Sequence, residues 1–196
     1  MEEEPRAAEG RIIEAAIACI ERSGLARVTI RGIAKEAGVN TAAINYYFRS
    51  KEKLLSQAME RTLDNFFQDW ETILSDPAES AERRIRKLLD YLIEGGLRWP
   101  GITRSHLVDA MGDDRGQTPF TLRLNRALKI LTQEIAGERP SSITEDLALT
   151  LVHVVSAALF PVVLPSFFEQ FSGLDLRDAG ARERYVDRIL NGLSLP

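Results

Sequence analysis

The sequence predicts an all-α protein, and three observations lead to this fold class. Apolar residues recur at three- and four-residue spacing in one segment after another. No segment alternates apolar and polar residues with the period of two that a half-buried strand requires. Residues that begin or end helices, above all Ser, Thr, Asp, Pro and Gly, stand between the periodic segments. With 196 residues, 44% hydrophobic and 28% charged, the chain is expected to form one or two globular domains.

Four helices are predicted in the N-terminal part of the chain, over about 7–23, 30–37, 41–48 and 51 to beyond 70. The residues expected to cap or end them are Gly24, Thr29, Gly38, Asn40 or Thr41, and Ser50. The fourth helix is long and carries one apolar stripe, which consists of Leu55, Met59, Leu63, Phe66 and Trp70. We therefore expect this helix to join two halves of the molecule, with the joint near residues 48–70.

Five more helices are predicted after residue 75. In the fifth, Asp76 is the expected N-cap and Pro77 the first helical residue, and the helix should stop near Ile93 because Gly95 and Gly96 follow. The others are a shorter sixth helix that starts around Trp99 and Pro100 and runs through Leu107 to Met111, a seventh opened by Thr118-Pro119 and ending at Gly137, an eighth opened by a capping box at Ser142–Glu145, and a last one from near Asp178 to Gly192. Residues 112–116 have the composition of a loop.

The stretch 147–168 contains 22 residues without a charged side chain, which is long enough to cross a bilayer. It has no basic flank, it includes His153 and two prolines, and no other segment of the chain resembles a membrane span. We therefore expect a buried core helix or a subunit interface, with no membrane partner. Pro161 should end or kink the helix, because proline lacks the backbone N–H that a helix interior uses.

Charge is distributed unevenly along a chain whose formal net charge is −4. Between Arg22 and Lys53 there are seven basic and two acidic residues, a local excess of +5, so the rest of the chain carries −9. A basic segment on an acidic chain indicates a local site for a polyanion, although a solvated helix face would produce the same counts. The spacing of the residues in this segment has to decide between the two interpretations.

Residues 29–48 have the pattern of a helix-turn-helix. Ile30, Ile33 and Ala34 form the apolar face of a short helix, and Gly38 supplies the left-handed conformation that a tight turn requires. A second short helix buries Ile44 and Phe48 and leaves small and hydrogen-bonding side chains exposed on its other face. Such a helix can lie in the major groove of DNA, where asparagine pairs with adenine edges and hydroxyl groups reach phosphates.

The first 60 or so residues resemble the DNA-binding domain of TetR-type transcriptional regulators. The resemblance rests on Ile12-Ile13-x-Ala15-Ala16, Gly24, Thr29-x-Arg31-x-Ile33-Ala34, Ala37-Gly38-Val39, Ala43-Ile44-x-x-Tyr47-Phe48 and Ser50-Lys51-Glu52-x-Leu54-Leu55. It implies a three-helix, homeodomain-like DNA-binding domain over residues 1–60. Residues 61–196 would then form an antiparallel helical bundle for ligand binding and dimerisation.

The resemblance also implies which residues contact DNA. The implied contacts are Thr29, Arg31, Thr41, Ala42, Ala43, Asn45, Tyr46, Tyr47 and Lys51. For Tyr47 a second interpretation stays open, in which the ring packs on the core and only the hydroxyl reaches DNA. Arg49 and Lys53 are expected to be solvated and not to read bases. The sequence departs from the family pattern at Ile20, where an aromatic residue is usual, and at Gly32, where a polar residue is common.

The resemblance also implies a cytoplasmic homodimer that binds a palindromic operator. Most regulators of this type are repressors that a small effector releases from DNA. The eighth and last helices are the expected dimer interface, the last contributing Tyr185, Val186, Ile189, Leu190 and Leu193. A largely apolar effector pocket is expected among helices five to eight. Its candidate residues are Tyr91, Trp99, Leu107, Met111, Phe120, Leu124, His153, Ala157 and Phe160, although ordinary core is the simpler interpretation of each.

The alternative function is an all-helical enzyme or carrier that acts on an apolar molecule and does not bind DNA. It is disfavoured because the sequence has no Ser/His/Asp set, no Gly-rich phosphate loop and no metal-ligand cluster. Cys19 is the one cysteine and lies on the apolar face of the first helix, so we expect a core residue. No metal and no cofactor are expected. The N-terminus, Met-Glu-Glu-Glu, is unlike a secretory signal, which indicates a cytoplasmic protein.

Overall fold

The computed structural model describes residues 3–74, 79–137 and 141–192, with side chains from residue 7 onward in the first range and from 145 onward in the last. All the regular secondary structure in these ranges is α-helix or 3₁₀ turn, and they contain no strand, so the all-α prediction is confirmed. The α-helices are α1 Glu3–Ser23, α2 Ile30–Ala37, α3 Thr41–Phe48, α4 Lys51–Leu74, α5 Ala81–Arg98, α6 Pro100–Met111, α7 Pro119–Ala136, α8 Ser141–Val163, α9 Pro165–Ser172 and α10 Ala179–Leu190. A 3₁₀ turn over Leu25–Arg27, which the sequence pattern did not predict, precedes α2.

The helices form two compact units. The first comprises Met1–Phe66 and Trp99–Phe120, and the second comprises Phe67–Arg98 and Thr121–Pro196. The expected division into 1–60 and 61–196 differs from these units, because it places 99–120 with the C-terminal part of the chain. The contacts of α6 within the first unit explain the difference.

The first unit has one apolar core. Its fully buried side chains come from α1, α2, α3 and α4, and the largest of them are Ile12, Ile20, Ile33, Ile44, Phe48 and Leu54. Ile20, which replaces the aromatic residue usual in the family, is 0% exposed and fills its place in the core. Cys19 is buried as predicted, and burial is the main cause that raises the pKa of its thiol.

Helix α6 packs on α1 in this unit. Pro100 is the first residue of α6 and has no backbone N–H, so Gly101 and Ile102 carry the first free amides of the helix. Both amides donate to Oε2 of Glu21, at 2.9 Å and 3.0 Å. A Cβ atom at Gly101 would lie 2.2 Å from the backbone oxygen of Glu21, so only glycine permits this approach. The Ile102 side chain is part of the apolar core that helices α1, α2, α3 and α4 form.

The second unit is built around α5, which packs against α8 and α10. Its core consists of buried residues of these helices, among them Ile85, Leu88, Leu89, Ile93, Leu147, Leu151, Val154, Ala158, Val186 and Leu190. Arginines tie the helices together at the edge of this core. Arg182 of α10 donates to Asp90 of α5 at 2.6 Å. Arg84 of α5 pairs with Glu134 and also donates to the Leu74 carbonyl, at 3.1 Å, where α4 ends.

The prediction that α5 stops near Ile93 is wrong, since the helix continues through Gly95 and Gly96 to Arg98. Gly96 has a packing role instead of ending the helix. A Cβ atom at this position would lie 2.6 Å from a methyl group of Val162, so the glycine lets α8 approach α5 closely. The predicted cap at Asp76 and Pro77 lies outside the described residues. The described helix begins at Ala81, and the Ser80 hydroxyl accepts from the Arg83 amide at 3.3 Å.

Helix α8 also differs from the prediction at both ends. It begins at Ser141, one residue before the expected capping box, whose first three side chains lie outside those that the structure describes. Pro161 does not end the helix, which continues to Val163. The missing proline N–H would have bonded to the carbonyl of Ala157, four residues earlier. The Tyr185 hydroxyl donates to that carbonyl instead, at 2.9 Å, so the carbonyl keeps a partner.

Much of α8 is apolar and exposed in the protomer. In the described residues, Glu145–Val163 is one helical stretch that meets the length and hydropathy of a membrane span, and 33% of it is buried within the protein. Exposed apolar residues continue from α8 into α9, and they are Leu149, Val152, Phe160, Val163, Leu164, Phe167 and Phe171. On α10, by contrast, Val186 and Leu190 are 2% and 5% exposed because they face α5. These two residues of the expected dimer interface are therefore core residues of their own protomer, and Leu193 lies outside the described residues.

Candidate nucleic-acid interface

The α2–turn–α3 segment has the geometry of a helix-turn-helix, and local capping determines each of its ends. The Thr29 hydroxyl accepts from the Gly32 amide at 3.1 Å and begins α2. Gly38 ends α2 in the left-handed conformation, with φ of 66°. Asn40 then caps α3, because its side-chain oxygen accepts from the Ala43 amide at 2.8 Å. The sequence left Asn40 and Thr41 open as caps, and the structure selects Asn40.

Helix α3 has two distinct faces. Ile44 and Phe48 are fully buried in the core. Thr41, Ala42, Asn45 and Tyr46 are exposed, and Tyr46 has 77% of its surface accessible to solvent. The helix has eight residues and is therefore about 12 Å long. A short helix with two alanines on or beside its outer face can approach base edges closely.

Ala43 and Tyr47 lie at the edge between the two faces and are partly buried. Tyr47 packs against the core of the first unit, and its ring meets Tyr46 edge-on with 5.2 Å between the ring centroids. This position agrees with the interpretation in which the Tyr47 ring is half core. The exposed Tyr46 ring is therefore supported from one side by a ring that the core holds in place.

Thr29, Arg31 and Lys51 border α3 at the beginnings of α2 and α4. Arg31 is exposed in the first turn of α2. A Cβ atom at Gly32 would lie 3.2 Å from the Thr29 hydroxyl oxygen, so the glycine that departs from the family pattern leaves room for the cap. Because that oxygen accepts from the Gly32 amide, the Thr29 hydroxyl hydrogen is available for an outside acceptor such as a phosphate.

Lys51 is the first residue of α4, where free amides and the positive end of the helix dipole favour an anion. The Ser50 hydroxyl accepts from the Lys53 amide at 3.1 Å and caps the helix. Glu52 lies in the same turn, and hydrogen bonds from its own backbone N–H and from the Ser50 hydroxyl lower the pKa of its carboxyl. Glu52 is therefore ionised at neutral pH and is engaged with the helix terminus.

The basic residues of this region are mostly unpaired with acids in the described part of the chain. Arg22 is the exception, since it forms an ion pair with Glu36 at 2.9 Å that ties α1 to α2. Arg27 donates to the Ser23 carbonyl at 2.7 Å and keeps its charge uncompensated. Arg31, Lys35, Arg49, Lys51 and Lys53 complete the set of basic side chains on this segment. The uncompensated positive charge favours a polyanion over a neutral partner.

The nine candidate pocket residues are divided between the two units. Trp99, Leu107, Met111 and Phe120 belong to the first unit, and Tyr91, Leu124, His153, Ala157 and Phe160 belong to the second. Met111 is 79% exposed, and Trp99, His153 and Phe160 are also exposed. The Tyr91 hydroxyl donates to Asp69 at 3.2 Å, and burial together with that carboxylate raises the pKa of Tyr91. The assembly of the nine residues into one pocket stays a prediction.

A small cleft in the second unit lies elsewhere. It has about 190 Å³ of space and is lined by Leu97, Pro161, Pro165 and Phe168 together with the segment 174–177. None of the nine candidate residues lines it. This space includes open solvent, and its enclosed part has room for no more than about one water molecule, so the cleft does not replace the predicted effector site.

Two polar contacts that hold the first unit together have no signal in the local sequence. One is the Glu21 contact to α6. The other joins α6 to α4, where Nε2 of His106 lies 2.8 Å from the Thr62 hydroxyl and the imidazole stacks on Phe120. The partners are 80 and 44 residues apart in the chain, so no local pattern could have revealed them.

The fold and this site define a protein of the helix-turn-helix class. Residues 12–58 match the family described as bacterial regulatory proteins, tetR family. The regulator BetI of Vibrio campbellii is 34% identical over 87 residues, which are 44% of each chain. The nucleoid occlusion factor SlmA of Aliivibrio fischeri is 36% identical over 81 residues, which are 41% of each chain. The chain thus spans less than half the length of the curated relatives that it matches.

Solved structures extend the likeness in fold to nearly the whole chain. A TetR-like transcriptional regulator from Rhodococcus sp. RHA1 has a TM-score of 0.66 and 17% identity, and the match covers 93% of this chain and 91% of that one. A TetR transcription regulator from Haloarcula marismortui has a TM-score of 0.63 and 20% identity, with 96% and 98% covered. The likeness to TetR-family regulators is therefore one of sequence over residues 12–58 and one of fold over nearly the whole chain.

Proposed function

We propose that this protein binds double-stranded DNA through α3 and regulates transcription. The exposed face of α3 carries this proposal, since Asn45 and Thr41 can reach base edges while Ile44 and Phe48 anchor the helix from behind. The bordering residues Thr29 and Lys51 contact the phosphate backbone, and Arg31 contacts either a phosphate or a guanine. Together they set the depth and orientation of α3 in the major groove.

The active form is a homodimer that binds a palindromic operator. One protomer presents one α3, and two half-sites on the same face of DNA are about 34 Å apart, so two protomers are needed. The supporting observation is the apolar surface of α8 that the protomer leaves exposed, including Leu149 and Val152. Phe167 and Phe171 of α9 extend this surface, with rings stacked 6.2 Å apart. We assign the dimer interface to α8, with α9 contributing more than the buried residues of α10.

Regulation takes the form of repression that a small, largely apolar effector relieves. Effector contact with Tyr91, Leu124 and neighbouring candidate residues would change the spacing of the two α3 helices in the dimer. Coupling energies of this kind are about 1 to 3 kcal/mol, which changes operator affinity about 5- to 150-fold. The protein acts in the cytoplasm, where its DNA target is found.

The test is a mobility-shift titration with DNA that flanks the coding region, performed at two or more salt concentrations. Log affinity should fall linearly with log salt, with a slope of about −0.9 for each phosphate neutralised. Lys51→Ala should flatten the slope by about one unit per protomer and weaken binding to all sequences alike. Lys129→Ala is the matched control, because Lys129 is an exposed lysine on α7, outside the helix-turn-helix.

Sequence selection from a random DNA pool gives a second measurement and does not depend on the choice of flanking DNA. A palindromic consensus with half-sites one helical turn apart is the expected result. A shift that is absent at low salt, together with no enriched sequence, would contradict the proposed function.

A further inference from the structure

The turn that joins α3 to α4 has an unusual backbone conformation. Arg49 has φ of 67° and ψ of −39°. The Arg49 amide donates to the Asn45 carbonyl at 3.1 Å and closes α3, and the Ser50 amide donates to the Phe48 carbonyl at 2.8 Å. The second bond spans only three residues, so Arg49 is the central residue of a γ-turn of the rare kind with positive φ.

A residue with a side chain is strained in this conformation, because Cβ approaches the neighbouring carbonyl oxygen. Elsewhere in the described residues the chain avoids this strain. The other positions with positive φ are all glycines, namely Gly24, Gly38, Gly116, Gly137 and Gly173. Strain of this type is found preferentially at functional sites, and here it is confined to the residue that directly follows α3.

The Arg49 side chain is exposed and uncompensated. It forms no ion pair or hydrogen bond with the residues that the structure describes. Its neighbours Lys51 and Lys53 are basic, and the carboxylate of Glu52 is held by its own backbone N–H and by Ser50. The Arg49 guanidinium is therefore free to bind an anion from outside the chain, and only backbone hydrogen bonds, none from the Arg49 side chain, hold its strained turn.

We propose that Arg49 binds a DNA phosphate, and that the strained turn is retained because it carries this cation at the C-terminal end of α3. The inference rests on the proposed function and adds a contact to it. Base edges are contacted mainly from the N-terminal part of a recognition helix, whereas Arg49 follows the C-terminal end. A phosphate is also the better match for a guanidinium, which donates two parallel hydrogen bonds to its oxygens.

The experiment compares three substitutions at this position with the exposed-lysine control. Arg49→Ala removes the cation and keeps a Cβ atom, Arg49→Gly removes both, and Arg49→Lys keeps the charge. Lys129→Ala removes the same charge from α7. Operator affinity is measured by mobility shift from low to moderate salt, and the unfolding midpoint Tm is measured for each free protein.

Arg49→Ala and Arg49→Gly should both weaken binding about tenfold and flatten the salt slope by about 0.9 per protomer. Arg49→Lys should keep the wild-type slope, since its ammonium neutralises the same phosphate. Arg49→Gly should have a Tm about 2 to 4 °C above that of Arg49→Ala, because glycine adopts the turn without the Cβ contact.

Either half of the proposal can be overturned separately. If Arg49→Ala binds DNA with the affinity and slope of Lys129→Ala, Arg49 does not contact a phosphate. If Arg49→Gly is no more stable than Arg49→Ala, the turn is not strained. A wild-type protein that binds no DNA overturns the proposed function and this inference together, whereas normal wild-type binding with an unchanged Arg49→Ala overturns this inference alone.

Discussion

Ile44 and Asn45 are neighbours in the chain but have opposite surroundings. Successive residues of an α-helix are about 100° apart, so Ile44 lies 1% exposed in the core while Asn45 is exposed on the far side of α3. This separation lets Ile44 and Phe48 determine where the helix lies without affecting what it contacts. Substitutions of Asn45 should consequently change recognition and leave stability nearly unchanged.

Asn45→Ala is expected to relax base preference at one position in each half-site. A bidentate contact to a base edge contributes about 1 to 3 kcal/mol of discrimination, so operator variants at that position should become nearly equivalent. The measurement is a competition series in which each operator base is changed in turn. Asn125→Ala on α7 is the matched control, because Asn125 is also exposed on a helix. Equal weakening on every sequence would show that Asn45 contacts only the backbone.

His106 is a polar residue whose protonation state depends on its burial. The Thr62 hydroxyl donates to the Met59 carbonyl at 2.7 Å, so its oxygen is left to accept the Nε2–H of His106 at 2.8 Å. Desolvation by burial lowers the pKa of His106 from 6.5 to about 4. The imidazole is therefore neutral in the folded protein at all pH values above about 4.

The lowered pKa predicts that stability decreases as pH falls from about 6.5 to about 4. In that range the unfolded chain takes up a proton at His106 and the folded chain does not, which favours unfolding. His106→Gln keeps an N–H donor for Thr62 and does not titrate, so its Tm should fall less than that of the wild type between pH 7 and 4.5. Titration of the carboxylates changes the Tm of both proteins equally, so the difference between the two curves reports on His106. Parallel Tm curves would contradict this assignment.

Among the helices, α5 shows how two adjacent glycines differ in role. A Cβ atom at Gly96 would lie 2.6 Å from a methyl group of Val162, whereas a Cβ atom at Gly95 would meet nothing within 4 Å. Gly96 is required for the packing of α5 against α8, whereas Gly95 only weakens the helix.

Gly96→Ala is expected to destabilise the protein by about 1 to 3 kcal/mol, because the added methyl group forces α5 and α8 apart. Gly95→Ala is the matched control and should be neutral or stabilising by up to about 1 kcal/mol, since alanine favours a helix. The free energy of unfolding from urea titrations measures both changes. Equal stability of the two variants would show that the second unit adjusts to the methyl group without cost.

Local sequence patterns predict some of the helix ends in this protein and not others. The cap of α2 was correctly predicted at Thr29 and that of α3 was narrowed to Asn40 or Thr41, of which the structure has Asn40, because a cap acts on amides two or three residues away. Gly96 was expected to end its helix and Pro161 to end or kink its own, and neither helix ends there. Their effect depends on Val162 and Tyr185, which are distant in the chain, so no local pattern carries the information.

In the candidate site, the faces of α3 followed from helical periodicity alone. Of the contacts on α3 that the family resemblance implied, Thr41, Ala42, Asn45 and Tyr46 are exposed and Ala43 and Tyr47 are partly buried, and their contacts with DNA stay a prediction. Arg49 was expected only as a solvated turn residue, because a sequence pattern does not reveal a strained φ angle. Glu21 and His106 were not identified, since their partners on α6 and α4 become neighbours only when the first unit folds.

At the scale of the whole molecule, the exposed apolar surface of α8 and α9 predicts a dimer of twice 21.9 kDa. Val152→Glu introduces a charge on this surface, where Val152 is 53% exposed in the protomer. Burial of an unpaired carboxylate in an interface is costly, so the variant should be monomeric at micromolar concentration and should bind the operator at least about tenfold more weakly. Light scattering and mobility shift measure the two effects.

Val108→Glu is the control for this substitution, since Val108 is exposed on α6 in the first unit and lies outside the proposed interface. It should remain dimeric. A wild-type protein with monomeric mass, or a dimeric Val152→Glu, would contradict the assignment of the interface to α8 and α9.

The contact between Glu21 and α6 determines how the N-terminal unit can be cut out of the chain. A fragment that stops at residue 60 lacks Gly101 and Ile102, so it would expose the core surface that Ile102 covers and leave the Glu21 carboxylate without its two amides. A hybrid regulator that takes its DNA-binding unit from this protein should therefore include residues 99–120 as well as the first 66 residues, because the two segments form one compact unit.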